Sequence, residues 1–218
     1  MPRRFHEGRT MTTESTLARY EGRDRKLAVT KTAILVVDAQ NAELEPDVLQ
    51  AHPEFAAALK ARALPAMKRL VTTARSRGVE IIYTVIEALT KDGRDRSLDH
   101  KLSNILVPKG SRLAAVMDDV TPAADDIVLP KTSSGVFNST NIDYVLRNLG
   151  IENVVVTGFV TDQCIDMAIR DGADHGYYMI CAADACAAYT DERHRTALRA
   201  FGGYCRVQQV DEVLADLT

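Results

Sequence analysis

Short apolar runs alternate with helical patterns along almost the whole chain. Ala33-Ile34-Leu35-Val36-Val37 is a β-branched run that ends at Asp38, and Val79-Glu80-Ile81-Ile82-Tyr83-Thr84-Val85 is a second. Asp126-Ile127-Val128-Leu129, Asn153-Val154-Val155-Val156, Tyr177-Tyr178-Met179-Ile180-Cys181 and Cys205-Arg206-Val207-Gln208 complete a set of six expected strands. Between the first two, a helical pattern runs from about Glu54 to Arg77, with Pro65 starting or kinking its second half and Gly78 stopping it. Shorter helices are expected from Ser111 to Met117 and from Thr140 to Leu149, the latter closed by Gly150. Ile165, Ala168, Ile169 and Ala173 recur at helical spacing after the fourth strand, and Thr190 caps a helix opening at Asp191 after the fifth.

Strands alternating with helices argue an α/β fold of three layers, a parallel sheet with helices on both faces, because right-handed crossovers place them there. Ligands of such sheets bind beyond the carboxyl ends of the strands, so the residues just after each apolar run are the candidates for chemistry. Strand one ends in Asp38, followed by Gln40 and Asn41, and strand two leads to Glu87. Strand three ends in Pro130-Lys131, strand four leads to Cys164, and strand five leads to Asp184 in a segment that continues to Tyr189. A carboxylate, an ammonium and a thiol thus converge on one rim.

Cys164 is expected in the first turn of a helix at the end of a strand, where free backbone N–H groups and the helix dipole favour a thiolate. A thiol of pKa ~8.5 needs a base at neutral pH, which a buried Asp38 can supply, while Lys131 stabilises whichever partner is negative. Backbone N–H groups at the helix start can receive an oxyanion, so the parts describe acyl transfer through a thioester. Each residue also has a plainer reading: a buried cysteine as apolar filler, an aspartate that merely ends a strand, a surface lysine.

Composition narrows the setting. The 218 residues, 46% hydrophobic and 26% charged, suit one compact domain over residues 26–218, with residues 1–25 as an amino-terminal arm or tail. That leading stretch lacks the apolar core of a signal peptide, and no apolar run approaches the ~18 residues of a membrane span. A net charge of -3 and a sequence pI near 6.0 give no reason to expect nucleic acid or a membrane as partner, which leaves a small molecule. Cys164, Cys181, Cys186 and Cys205 form neither a disulfide framework nor a zinc spacing. They read as reduced thiols of a cytoplasmic enzyme, the last three as core fillers.

Leu35-Val36-Val37-Asp38-Ala39-Gln40-Asn41, Leu129-Pro130-Lys131-Thr132-Ser133-Ser134-Gly135-Val136-Phe137 and Thr157-Gly158-Phe159-Val160-Thr161-Asp162-Gln163-Cys164 occur in that order. With these three segments the chain resembles, over roughly residues 30 to 210, the isochorismatase-like cysteine hydrolases. That family includes nicotinamidases and the N-carbamoylsarcosine and ureidoacrylate amidohydrolases. The resemblance implies a six-stranded sheet in the order 3-2-1-4-5-6, with Asp38 as general base, Lys131 as charge stabiliser and Cys164 as nucleophile. It also implies a cis peptide between Phe159 and Val160 that turns the Val160 N–H toward the oxyanion, beside that of Cys164. Homodimers or homotetramers are common in the family, and the amino-terminal arm is a candidate contact element.

Isochorismatase itself cleaves a vinyl ether without a nucleophilic cysteine, so Cys164 favours hydrolysis of an amide or ureide C–N bond. Metal-binding nicotinamidases carry an Asp-x-His pair after strand one. Here that region offers only His52, a helix-end or surface residue, so no metal or other cofactor is expected and nicotinamide is disfavoured. A small ureido acid is the first expectation for the substrate, a simple amide the second; a binding or redox-sensing module on the same fold is the alternative from another class. Substrate-binding candidates are Asn41, Glu87, Phe137 and Tyr189, each with a packing or loop reading beside it. Arg94 or Arg96 either clamps a substrate carboxylate or belongs to a solvated salt-bridging face. Asn138 and Asn141 suit turn or cap roles, and Asp184 suits orienting a loop through backbone N–H groups.

Overall fold

The computed structural model describes residues 24–218, so the expected amino-terminal arm lies almost entirely outside the described residues. In chain order the regular elements are β1 (Thr32–Val37), α1 (Pro46–Ala51), α2 (Pro53–Ala58), α3 (Leu64–Ser76), β2 (Glu80–Ile86), α4 (Leu98–Leu102), β3 (Ile127–Lys131), α5 (Val136–Ser139), α6 (Ile142–Asn148), β4 (Asn153–Phe159), α7 (Asp166–Asp174), β5 (Tyr178–Ala187), α8 (Asp191–Phe201), β6 (Cys205–Gln208) and α9 (Val210–Asp216). All strand pairs are parallel, in the order β3-β2-β1-β4-β5-β6. Among the described residues, no helix is long and apolar enough to cross a membrane.

The near-continuous apolar strands follow from a sheet covered on both faces. Ile34 and Val36 of β1 pack on one side with Phe55, Met67, Leu70 and Val213. Ala33, Leu35 and Val37 pack on the other with Ile142, Leu146, Ile169 and Phe201. The long helical pattern is real but compound: α2 passes through a π turn at Leu59–Ala63 into α3, with Pro65 just past that turn. Pro130 is tolerated within β3 because that strand is an edge.

Several elements differ from expectation, among them α1 and α4, for which no helix was expected. The helix expected from Ser111 to Met117 is a single 3-10 turn, Arg112–Ala114, after which Val116 bridges to Gln40. The helix expected from Thr140 begins at Ile142 as α6, and a short helix that was not expected, α5, precedes it. β5 does not stop at Cys181; its pairing with β4 shifts register between Val156 and Gly158 and continues to Ala187. Asp184 therefore lies within β5 rather than beyond it, and its Oδ1 accepts from the Val210 N–H at 2.8 Å. The carbonyls exposed by this irregularity are collected by Arg62, whose Nη1 donates to Ala183, Asp184 and Cys186 at 3.1, 3.2 and 2.9 Å. α9 was not expected; Gln209 and Glu212 open it with a capping box.

Leu27 bridges in parallel to Leu217, and Val29 N–H donates to the Thr218 carbonyl at 2.9 Å, so the first described residues are tied to the last. At the sheet's centre, Val37 of β1 faces Gly158 of β4. Gly158 has φ +125°, and a Cβ placed there would lie 1.9 Å from the Val37 carbonyl oxygen. Only a glycine lets the two strands approach this closely at their carboxyl ends. Gly158→Ala is accordingly expected to cost about 3 kcal/mol or more, read as a loss in urea midpoint, and wild-type stability in that variant would refute the account.

Candidate active site

Asp38 follows β1 in a left-handed conformation, φ 54°. That backbone costs about 1–3 kcal/mol for a non-glycine residue and persists only where its surroundings enforce it. The Asp38 N–H donates to the Thr84 carbonyl at 2.9 Å, and the Gln40 N–H returns to the Asp38 carbonyl at 2.8 Å. Gln40 is buried and stitches the segment to β2: its Nε2 donates to the Ile86 and Leu113 carbonyls at 3.0 and 3.1 Å, and its Oε1 accepts from the Ile86 N–H at 2.6 Å.

Lys131 ends the edge strand β3 yet has a fully buried side chain, 0% exposed. Its Nζ lies 2.9 Å from Asp38 Oδ2, a buried ion pair. It also donates to the Ser133 carbonyl at 2.8 Å and lies 3.4 Å from Cys164 Sγ. Cys164 sits in a π turn, Thr161–Ile165, that runs from the end of β4 into α7. The structure thus brings together residues from three strands that lie apart in sequence.

The charges follow from burial. Desolvation raises the Asp38 carboxyl above its ordinary value, opposed chiefly by Lys131. Lys131 is pulled down by burial but held above its usual value by Asp38 and Cys164. Burial, helped by the negative charge of Asp38, pushes the Cys164 thiol up to about 12. The resting cysteine is a thiol, contrary to a standing thiolate at a helix start, because loss of solvent outweighs the nearby ammonium.

Beneath the cysteine turn, Thr161 Oγ1 and His194 Nδ1 are 2.8 Å apart in the interior. Burial, and then the charge of Arg62, lower the His194 pKa to about 4. A cleft of about 590 Å³ opens beside the turn, bordered by Ser134, Asp162, Gln163, Met167 and Tyr189.

The remaining candidates are placed unevenly. Val160 follows a cis peptide bond with Phe159, and its carbonyl accepts from Gln163 at 3.1 Å. Tyr189 reaches the cleft and stacks on His52 with ring centroids 3.8 Å apart, so His52 supports the wall from behind. Asn41 Nδ2 donates to the Arg112 carbonyl at 3.2 Å, which secures the loop. Glu87 Oε1 is engaged by the Gly110 N–H at 2.7 Å. Phe137 does not join the rim: its ring stacks on His175 and packs on Tyr177, at the amino end of β5. Arg94 pairs with Asp92, and Arg96 donates to the Gly93 and Ile105 carbonyls at 2.9 and 2.6 Å, so neither is poised as a clamp. Asn138 donates to Asp171 at 3.2 Å, and the start of α6 is capped by Thr140 Oγ1 rather than by Asn141. Among the described residues, no group of three His, Cys, Asp or Glu side chains is arranged to hold a metal.

Sequence reasoning passed over Glu43, in the 3-10 turn Asn41–Leu44 beyond β1. Its Oε2 is shielded from solvent and has no hydrogen-bond partner among the described residues, and burial followed by the charge of Asp38 raises its pKa to about 7. The rule that sites lie just past strand ends covers this position, which is five residues after Asp38.

Residues 32–211 match the family model described as Isochorismatase domain. The chain is 34% identical over 176 residues to ureidoacrylate amidohydrolase RutB of Azorhizobium caulinodans, covering 73% of this chain and 77% of the relative. Its fold is similar to a cysteine hydrolase from Pseudomonas syringae pv. phaseolicola, with TM-score 0.76 and 23% identity over 88% of this chain and 94% of the other. N-carbamoylsarcosine amidase from Thermoplasma acidophilum superposes with TM-score 0.69 and 27% identity, covering 83% and 97%.

Lys131→Met should leave a buried carboxyl without its partner and cost about 3–5 kcal/mol in denaturant unfolding. Adding Asp38→Asn should recover part of that loss; strictly additive losses would show that the pair is not coupled. His194 stays neutral when folded but takes a proton when unfolded from pH ~6.5 downward. Its contribution therefore lowers stability as pH falls from about 6.5 toward 4. A His194→Gln variant should show a shallower decline over that window, and parallel pH curves would contradict this reading.

Proposed function

The chain belongs to the isochorismatase family, its domain spanning residues 32–211, and from that premise we propose that it is a cysteine amidohydrolase cleaving the C–N bond of a small primary amide or carbamoyl compound. The observation that carries this reading is the fully buried Lys131, with Nζ 2.9 Å from Asp38 and 3.4 Å from Cys164. The named activities of the similar proteins, a ureidoacrylate amidohydrolase and an N-carbamoylsarcosine amidase, are of the same reaction class.

In the proposed cycle, the Cys164 thiol gives its proton to Asp38 as Sγ attacks the substrate carbonyl. A raised Asp38 pKa suits it to accept that proton, and Lys131 balances the negative charge on either side of the transfer. Backbone N–H groups of Val160 and Cys164 are assigned to the oxyanion. Asp38 then passes the proton to the leaving nitrogen, the C–N bond breaks and ammonia departs. Water next attacks the thioester as Asp38 takes its proton, and as the C–S bond breaks Asp38 returns that proton to Sγ, releasing the acid and restoring the thiol.

A redox-sensing role fits less well. Sensor cysteines are solvent-accessible and ionised, whereas Cys164 is buried and its thiol is pushed up to about 12.

Cys164→Ala is expected to abolish ammonia release from amides and ureides, and undiminished turnover would sink the mechanism. Asp38→Asn should slow single-turnover acylation by about 100-fold or more, the usual scale of general-base loss. Unchanged acylation would remove Asp38 from that role. Chelator should leave the rate unaltered.

A further inference from the structure

We propose that His194 is a positioning residue for the nucleophile: acting through Thr161, it holds the Thr161–Ile165 turn where Cys164 Sγ and the Val160 N–H can meet one substrate carbonyl together. This rests on the amidohydrolase reading above and adds to it a residue outside the cluster of Asp38, Lys131 and Cys164.

The cysteine turn does little to fix its own position. It is a π turn of five residues, and Val160 at its amino end provides no side-chain cap. The Gln163 and Ile165 N–H groups both converge on the Val160 carbonyl, at 3.1 and 3.4 Å, so the backbone is loosely closed. Thr161 directly follows Val160 and precedes Cys164 by three residues. It therefore lies between two groups that the proposed cycle uses, and a shift at Thr161 moves both.

The tie comes from α8. His194 Nδ1 and Thr161 Oγ1 are 2.8 Å apart, and both residues are buried. Where water cannot compete, a hydrogen bond of this kind is stronger than at a surface. Burial, and then the charge of Arg62, keep the imidazole neutral, so it joins the interior without a counter-ion. The preceding residue of α8 grips the same turn from outside: Arg193 Nε donates to Asp162 Oδ2. Consecutive residues of the helix thus hold consecutive residues of the turn, one in the interior and one at the edge of the cleft.

α8 is itself anchored at that end. Thr190 Oγ1 accepts from the Arg193 N–H at 3.1 Å, and the Asp191 N–H donates to Glu54 Oε2 of α2 at 3.0 Å. Filling the space beneath the turn would be served as well by two apolar side chains of the same shape. A directional polar pair instead fixes where the turn stands, and small displacements of reacting atoms are costly in rate.

The test uses variants that separate the hydrogen bond from the space it fills. Asparagine carries an amide atom where histidine has Nδ1, and glutamine where it has Nε2; at position 161, serine keeps the hydroxyl and valine the shape. The single-turnover acylation rate constant, which does not depend on the fraction of active protein, should fall at least about tenfold in His194→Gln and in Thr161→Val. Steady-state KM should change by less than about twofold, and His194→Asn and Thr161→Ser should stay within about threefold of the wild-type rate. The double variant His194→Gln/Thr161→Val should be no slower than the slower single variant, because each removes the same bond. Alkylation of Cys164 by iodoacetamide, mapped by peptide mass, should rank the variants in the same order. It needs no amide substrate, so a failed hydrolase assignment is told apart from a failed role for His194. An asparagine variant no better than glutamine, losses that multiply in the double variant, or alkylation rates equal across the set would overturn the inference. Should His194→Gln misfold, Thr161→Val against Thr161→Ser still decides.

Discussion

Asp38 and Lys131 meet 2.9 Å apart with neither exposed to water, and much of the surrounding structure exists to make that tolerable. Removing either charge from water is costly, so each must find the other and spend its remaining hydrogen-bonding capacity nearby. Lys131 does this with the Ser133 carbonyl, which ties it to the loop before α5. Asp38 is held by an unfavourable backbone conformation that Gln40 locks against β2. The pair crosses over β2, from the edge strand to the middle of the sheet, and fixes the height at which Cys164 must sit.

The resting electrostatics favour a neutral thiol beside a charged lysine. In the proposed cycle the nucleophile is therefore generated on demand, the proton moving to a carboxyl whose affinity for it burial has raised. Such a site keeps a reactive group latent until a carbonyl is present. The cysteine turn is braced from below by Thr161 and His194.

Much of this was legible in the chain because strands buried on both faces leave continuous apolar runs, and in a parallel sheet chemistry gathers where those runs end. Asp38, Lys131 and Cys164 were found by that rule, and the resemblance supplied the strand order. What escaped had local causes. The continuation of β5 past Cys181 depends on a register shift held by the distant Arg62, which no pattern within the strand announces. Phe137 lies in a motif shared with the family, but its direction is set by packing against His175 and Tyr177. Glu43 was overlooked because a glutamate in a polar turn reads as solvated, and only tertiary structure removes the water from it.

The close seam at Gly158 divides the sheet into two halves that are consecutive in sequence, β1 to β3 and β4 to β6. Asp38 and Lys131 belong to the first half and Cys164 to the second. During synthesis, the amino-terminal half leaves the ribosome with an incomplete charge pair environment and no thiol at all. The later half brings a sulfur that has neither proton acceptor nor cation until β4 zips onto β1. The cluster is thus complete only once the two halves have docked.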